Sequence, residues 1–240
     1  MAIIDKPTDY FNTKLTTGTG SSQAVTGLGF QPDWIWGKRR DSTGNNSLFD
    51  SVRGITKGLE SNSTGAEFTS TDYYSSFDSD GFTIAAGASG AGNGSGQTAV
   101  QWCWKAGGTA SSNTDGSITS SVSANQDAGF SIVSYTGTGS NATVGHGLGV
   151  APKVLILKSR TRSDGQWSVG SDMLGWSKFL FLDATSAEQT FNLYQNTAPT
   201  SSVFYLSGDG GVNNGSGSMI GYAFAEKQGY SKFGSYTGNG

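Results

Sequence analysis

The feature that most limits what this chain can fold into is an internal repeat. Residues 17–40 read TGTGSSQAVTGLGFQPDWIWGKRR and residues 136–160 read TGTGSNATVGHGLGVAPKVLILKSR. Thr17 and Thr136 open the two stretches 119 positions apart, and Gly27 and Gly147 begin the Gly-Leu-Gly steps 120 apart. The register holds further on. Gly54, Lys57, Leu59, Ala66 and Glu67 match Gly175, Lys178, Leu180, Ala187 and Glu188 at a shift of 121. Asn93-Gly-Ser-Gly96 matches Asn214-Gly-Ser-Gly217, and Trp102-Cys-Trp104 matches Tyr222-Ala-Phe224. Self-similarity at a constant period sets the architecture before any other signal. Here it predicts two copies of one unit, each of ordinary domain size. The first spans residues 1–108 and the second 129–240, with residues 109–128 as a small, polar linker carrying at most one short strand at 117–122.

Within each copy the pattern is that of strands. No window of a dozen residues places apolar side chains at helical spacing without glycines. Short runs rich in Val, Ile, Phe, Tyr, Trp and Thr recur, divided by Gly, Asn, Asp and Ser. They predict strands at 10–16, 33–39, 46–51, 66–70, 81–86 and 97–105, then at 130–135, 152–159, 166–170, 178–183, 201–206 and 218–226. Residues 41–44 and 163–165 read as hairpin turns, where glycine meets the backbone's need for positive φ. Many short strands at this spacing indicate a sandwich or barrel. Residues 229–240 resemble 129–139, the start of the second copy, and 230–236 is expected to pair into a sheet, as a closing strand or as one donated to a neighbour.

Composition excludes several classes. Charged residues make up 14% of the 240, and the formal charge is −3 with no basic block, which argues against nucleic acid. Cys103 is the single cysteine, so no intramolecular disulfide can form. No apolar run approaches the length of a membrane span. The opening MAIIDKPTDYFNTK lacks the pattern of a secretory signal, so synthesis in a cytoplasm is expected. No cofactor fingerprint, phosphate loop or nucleophile elbow is present.

Few residues invite a chemical role. Trp34 and Trp36 share one strand face and could stack on sugars, but their counterparts Val154 and Ile156 only pack, so core is the expectation. The same holds for Trp102 and Trp104, opposite Tyr222 and Phe224, and for Cys103, opposite Ala223. His146 reads as a surface turn residue. Asp78 and Asp80 resemble half of a calcium loop and form the metal candidate, although the second copy has no carboxylates there. Trp167 and Trp176, with Asp164 and Asp172 nearby, form the carbohydrate candidate. An aromatic ring supplies apolar contact in such a site and carboxylates orient hydroxyls.

Several segments carry a resemblance: residues 29–44 (GFQPDWIWGKRRDSTG), 48–54 (LFDSVRG), 76–82 (SFDSDGF), 102–108 (WCWKAGG) and 134–137 (SYTG). Together they resemble a repeated β domain of unknown function found in tail-fibre and virion-surface proteins of tailed phages, marine ones especially. The resemblance covers nearly the whole chain. It implies concanavalin-like sandwiches on a virion exterior, and no catalytic residues. One departure is Gly37, which stands in the apolar strand where such proteins tend to carry a larger residue. The expectation is an all-β protein of two tandem concanavalin-like or jelly-roll β-sandwich domains related by internal duplication. It would be a non-enzymatic structural and adhesive part of a phage tail fibre or decoration, on the virion surface or otherwise extracellular. Its partners would be copies of itself or other virion proteins, and host-surface polysaccharide. The alternatives are a self-assembling filament subunit and a glycan-cleaving tailspike enzyme.

Overall fold

The computed structural model describes residues 3–239. The first half carries β1 (Phe11–Thr17), β2 (Gln23–Val25), β3 (Trp34–Arg39), β4 (Asn46–Asp50), β5 (Lys57–Glu60), β6 (Phe68–Thr69), β7 (Tyr74–Asp78), β8 (Gly81–Ile84) and β9 (Thr98–Trp104). The second carries β10 (Ser111–Asn113), β11 (Ser120–Asn125), β12 (Phe130–Thr136), β13 (Ala142–Gly145), β14 (Val154–Ser159), β15 (Ser168–Ser171), β16 (Lys178–Phe181), β17 (Gln189–Thr190), β18 (Val203–Leu206) and β19 (Ser218–Phe224), with one helical turn, α1 (Gly210–Asn213). The fold is all-β and built of antiparallel sheets.

Strand order is the same in both halves. The large sheets run β1-β9-β3-β4-β5-β6 and β12-β19-β14-β15-β16-β17, the second extended at one edge by β10 and β11. The small sheets are β2-β8-β7 and β13-β18. Registers match too: Trp34 pairs with Trp104 as Val154 pairs with Phe224, and Trp36 with Trp102 as Ile156 with Tyr222.

Each large sheet is covered on both faces. Ile35, Phe49, Phe82, Ile84 and Cys103 form the core between the first large sheet and its small one. Leu155, Leu157, Val144, Phe204 and Leu206 do the same in the second half. A third core lies between the two large sheets, where Trp34, Leu48 and Leu59 meet Phe130, Ile132, Ile220 and Tyr222. Antiparallel sheets commonly leave one face wet, giving apolar–polar alternation. Here alternate residues enter different cores, so β3 and β19 are apolar on both faces. Trp34 is the centre of the third core, stacked on Tyr222 at 4.3 Å and 17° and against Trp104 at 4.4 Å.

Beside that stack lies a buried ion network. Asp50 and Arg53 are both fully buried and paired, Arg53 Nε donating to Asp50 Oδ2 at 2.5 Å. Tyr222 of the second half donates its hydroxyl to the same carboxylate oxygen at 2.8 Å. Arg53 also reaches Glu67, whose carboxylate takes Nε and Nη2 of Arg160 at 2.7 and 2.9 Å. Lys158 is buried as well. Its ammonium donates to Gly165 O and, across the halves, to Thr64 O at 2.9 Å.

Four expectations are corrected. The segment taken as a linker carries two strands, β10 and β11, and β11 pairs with β12 along its length. Its small polar residues fill an edge that has no counterpart in the first half. The Asn-Gly-Ser-Gly match is one residue out. Asn93 accepts from Thr19 N and donates to Ser21 O and Ala85 O. Asn213, not Asn214, makes the same three bonds, with Thr138 N, Ser140 O and Ser207 O. Ser216 therefore takes the positive φ, +60°, that Gly96 takes at +76°. Residues 230–236 join no sheet. Tyr230 packs beside Tyr10, Phe233 N donates to Glu226, and Tyr236 is 94% exposed. The segment they resemble forms β12, locked between β11 and β19; the tail has only an isolated bridge, Lys227 to Ser231. Trp102 is half-buried rather than core. Gly37 has a packing reason: a Cβ there would sit 2.5 Å from both Tyr74 Oη and Gln101 Oε1, two buried groups hydrogen-bonded to each other.

Trp34→Ala should therefore cost about 3–5 kcal/mol, as for other large core aromatics, and Trp102→Ala roughly 1–2 kcal/mol. Arg53→Ala should cost about 3–5 kcal/mol by stranding Asp50, whereas the double change Arg53→Met, Asp50→Leu should recover most of that loss. Urea denaturation of the four variants measures both contrasts.

Candidate functional site

The carbohydrate candidates do not form one site. Residues alternate sides along a strand, and Trp167, next to the Arg162–Gly165 turn, falls on the side facing the other half. It is fully buried, stacks on Tyr222 and donates Nε1 to Glu60 O at 2.9 Å. Trp176 is buried against Tyr194 in the core of the second half, with Nε1 directed at Asp172. Asp172 is further held by Lys153 at 2.5 Å, which keeps its carboxyl below the usual range. Asp164 stands at the other end of β15 from Asp172. Both tryptophans are thus corrected from exposed platforms to packing residues.

Asp164 does border a cleft. It is a cavity of about 280 Å³ lined by Arg162, Gln166, Phe179, Phe181, Phe191 and Asp209, among others. Phe191 is 56% exposed and forms an apolar wall. Arg162 grips Asp164 through Nε and Nη2 at 2.9 and 3.0 Å, which holds the Asp164 carboxyl below its ordinary value and so ionised. Asp209 accepts from Gly211 N and caps α1 at the far side. A single aromatic wall facing a carboxylate–guanidinium pair and an amide suits a polyhydroxylated ring: apolar contact on one face, directed hydrogen bonds at the rim. The equivalent place in the first half is filled. Gly58 and Glu60 stand where the second half has Phe179 and Phe181, and Phe68 fills the space beside Gly58. That difference between copies was the available signal for Phe179, Phe181 and Phe191.

The metal candidates are occupied by the protein itself. Asp80 accepts from Gly27 N and Gly29 N at 2.9 and 2.6 Å, stabilising a turn in which both glycines have positive φ. Asp78 accepts from Thr83 Oγ1. Among the described residues no three His, Cys, Asp or Glu side chains are grouped to hold a metal ion.

His146 is buried, not exposed. Its Nδ1 accepts from Leu148 N at 3.2 Å, and Nε2 lies 3.2 Å from Thr200 O, which requires the neutral Nε2–H tautomer. The ring thereby bonds the backbone of the Gly147–Gly149 turn, as Asp80 does in the first half.

With the geometry described, the comparisons can be read. The chain matches, over residues 6–240, the family described as "Domain of unknown function (DUF7483)". It belongs to that family. No curated protein and no solved structure matches it.

Burial lowers the pKa of His146. A folded pKa below the unfolded value of about 6.5 means that the unfolded chain binds the proton more tightly. Stability is then full above about pH 6.5 and falls as pH drops through the folded pKa, by at most about 1.4 kcal/mol per unit. Melting temperatures between about pH 7.5 and 5 should show this slope, and His146→Gln should flatten it. A chelator should leave the melting temperature unchanged, while Asp80→Ala should lower it.

Proposed function

We propose that this protein is a non-enzymatic structural and adhesive unit of a virion exterior, a tail fibre or a head or tail decoration. On this reading it is an internal duplication of a concanavalin-like or jelly-roll sandwich, and the Phe191 cleft contacts host-surface sugars. The observation that carries the reading is the divergence of the halves. The same strand order serves twice, and where Phe68 fills the first half the second opens an aromatic, carboxylate-rimmed cleft at the loop end. Packing on both faces of the large sheets gives that cleft a rigid base, as a surface-displayed binder requires. The segments at 29–44 and 102–108 support the virion setting through the resemblance already described.

Binding of the purified chain to an array of bacterial surface glycans tests it. Retention of an acidic or neutral polysaccharide, reduced tenfold or more by Phe191→Ala and unaffected by Asp172→Asn, is expected. Release of oligosaccharides from the bound glycan would instead favour a cleaving enzyme. No binding to any glycan would defeat the adhesive part of the proposal.

A further inference from the structure

The contact between the two halves is offset, and each half leaves uncovered part of the patch that the other has used. The first half contributes one patch: Leu48 on β4, Leu59 on β5, Val52, and the carboxylate of Glu67. The second contributes another: Tyr222 and Ile220 on β19, Ile132 on β12, with Arg160 and Lys158 at its rim. If the halves met about a two-fold axis, each would use both patches, and Arg40 would grip Glu188 as Arg160 grips Glu67. It does not. Arg40 is exposed, and Glu188 is turned to Lys178. The contact is heterologous, a type that repeats unless it closes into a ring.

Register identifies the unused patches. In the second half Leu48, Leu59 and Val52 become Val169, Leu180 and Met173. Leu180 and Met173 are each 37% exposed, and Leu182 beside them is 39% exposed. In the first half Tyr222, Ile220, Ile132 and Ser134 become Trp102, Val100, Thr13 and Leu15, of which Val100 is buried within the half. Trp102 is half-buried and Leu15 is 65% exposed. These two surfaces hold most of the exposed large apolar side chains of the described residues.

We infer that a second copy of this chain docks its Leu15–Trp102 patch against the Met173–Leu180 patch of the first, repeating between molecules the contact made within each. The chemistry is complementary at three points. Arg40 meets Glu188, as Arg160 meets Glu67. Lys38, whose ammonium donates to Ser42 O and Gly44 O, has a third donor for a carbonyl near residue 185, as Lys158 has for Thr64 O. Within the chain, the buried Asp50–Arg53 pair receives the Tyr222 hydroxyl. Between chains, Ser171 and Leu174 stand in place of Asp50 and Arg53, and the approaching side chain is Trp102, which has no hydroxyl to satisfy. The charges are replaced by neutral groups, the Ser171 hydroxyl and the Trp102 indole N–H, an acceptor and a donor. The intermolecular contact has Asn46 where the internal one has the buried Trp167, and it joins separate chains, so it is the weaker and depends on concentration. This inference goes beyond sugar binding and stands without it.

Sedimentation velocity and electron microscopy of the full chain test it. The wild type should grow into linear assemblies as concentration rises. Leu15→Glu with Arg40→Glu removes one patch, and Met173→Glu with Leu180→Glu the other, all at exposed positions. Each variant alone should stay monomeric, with association weakened tenfold or more. An equimolar mixture should form one-to-one dimers and nothing larger, because each variant keeps one working patch. If the apolar changes disturb folding, as circular dichroism would reveal, Arg40→Glu mixed with Glu188→Gln provides the same readout at the salt bridge alone. A wild type that stays monomeric at every concentration would overturn the inference. So would a single-patch variant that still self-associates, or a mixture that does not.

Discussion

Everything in this molecule turns on Tyr222 reaching across to Asp50 beside the Trp34 stack. Buried ion pairs cost much of what they gain, because two charges must leave water. The Asp50–Arg53–Glu67–Arg160 network is therefore poor evidence for added stability. Its geometric role is clearer. The Trp34–Tyr222 stack tolerates sliding, since apolar contact has little direction. The network does not, because moving one large sheet past the other would strand a buried carboxylate or guanidinium. Apolar burial supplies the attraction, and the charges set the register between the halves.

Much of this was visible in the sequence, and the failures have physical causes. The strands predicted at 33–39, 97–105, 130–135 and 152–159 agree with β3, β9, β12 and β14 within a residue or two, because Trp, Val and Ile runs ended at turn residues. The constant shift carried core assignments correctly from Val154 to Trp34. It could not show that β3 is buried on both sides, since an apolar strand looks the same whether its second face meets a partner or water. Trp167 was misread for that reason: its face follows from its place opposite Lys158, and a spacing alone does not reveal the pairing. Lys57–Glu60 escaped notice as a strand because a glycine and two charges interrupt it, although Lys178–Phe181, in the same place, was read correctly. His146, set between glycines, looks like a turn residue, and only its bond to Leu148 N explains why it lies inside. The cleft residues were missed because each copy was used to confirm the other. The informative positions were those where the copies disagree.

Those disagreements have a pattern. Where the first half is closed over by the second, it carries Asp50, Arg53 and Leu59. Where the second half opens to solvent, the same places hold Ser171, Leu174 and Leu180. The strand order common to both halves is retained, and the differences collect at the contact between halves and at the Phe191 cleft. A repeat of this kind separates the residues that make the sheet from those that decide what each copy touches.

Cys103 sits on β9 between β1 and β3, fully buried, and burial raises its thiol well above the ordinary range. Within the sheet it is inert. It can be reached only when β9 parts from a neighbour, so its rate of alkylation counts openings of the first large sheet. At high reagent the rate becomes that of opening itself, and at low reagent it reports the population of the open form. The single thiol of the chain thus serves as a native clock for the strand that bridges β1 and β3, needing no engineered label.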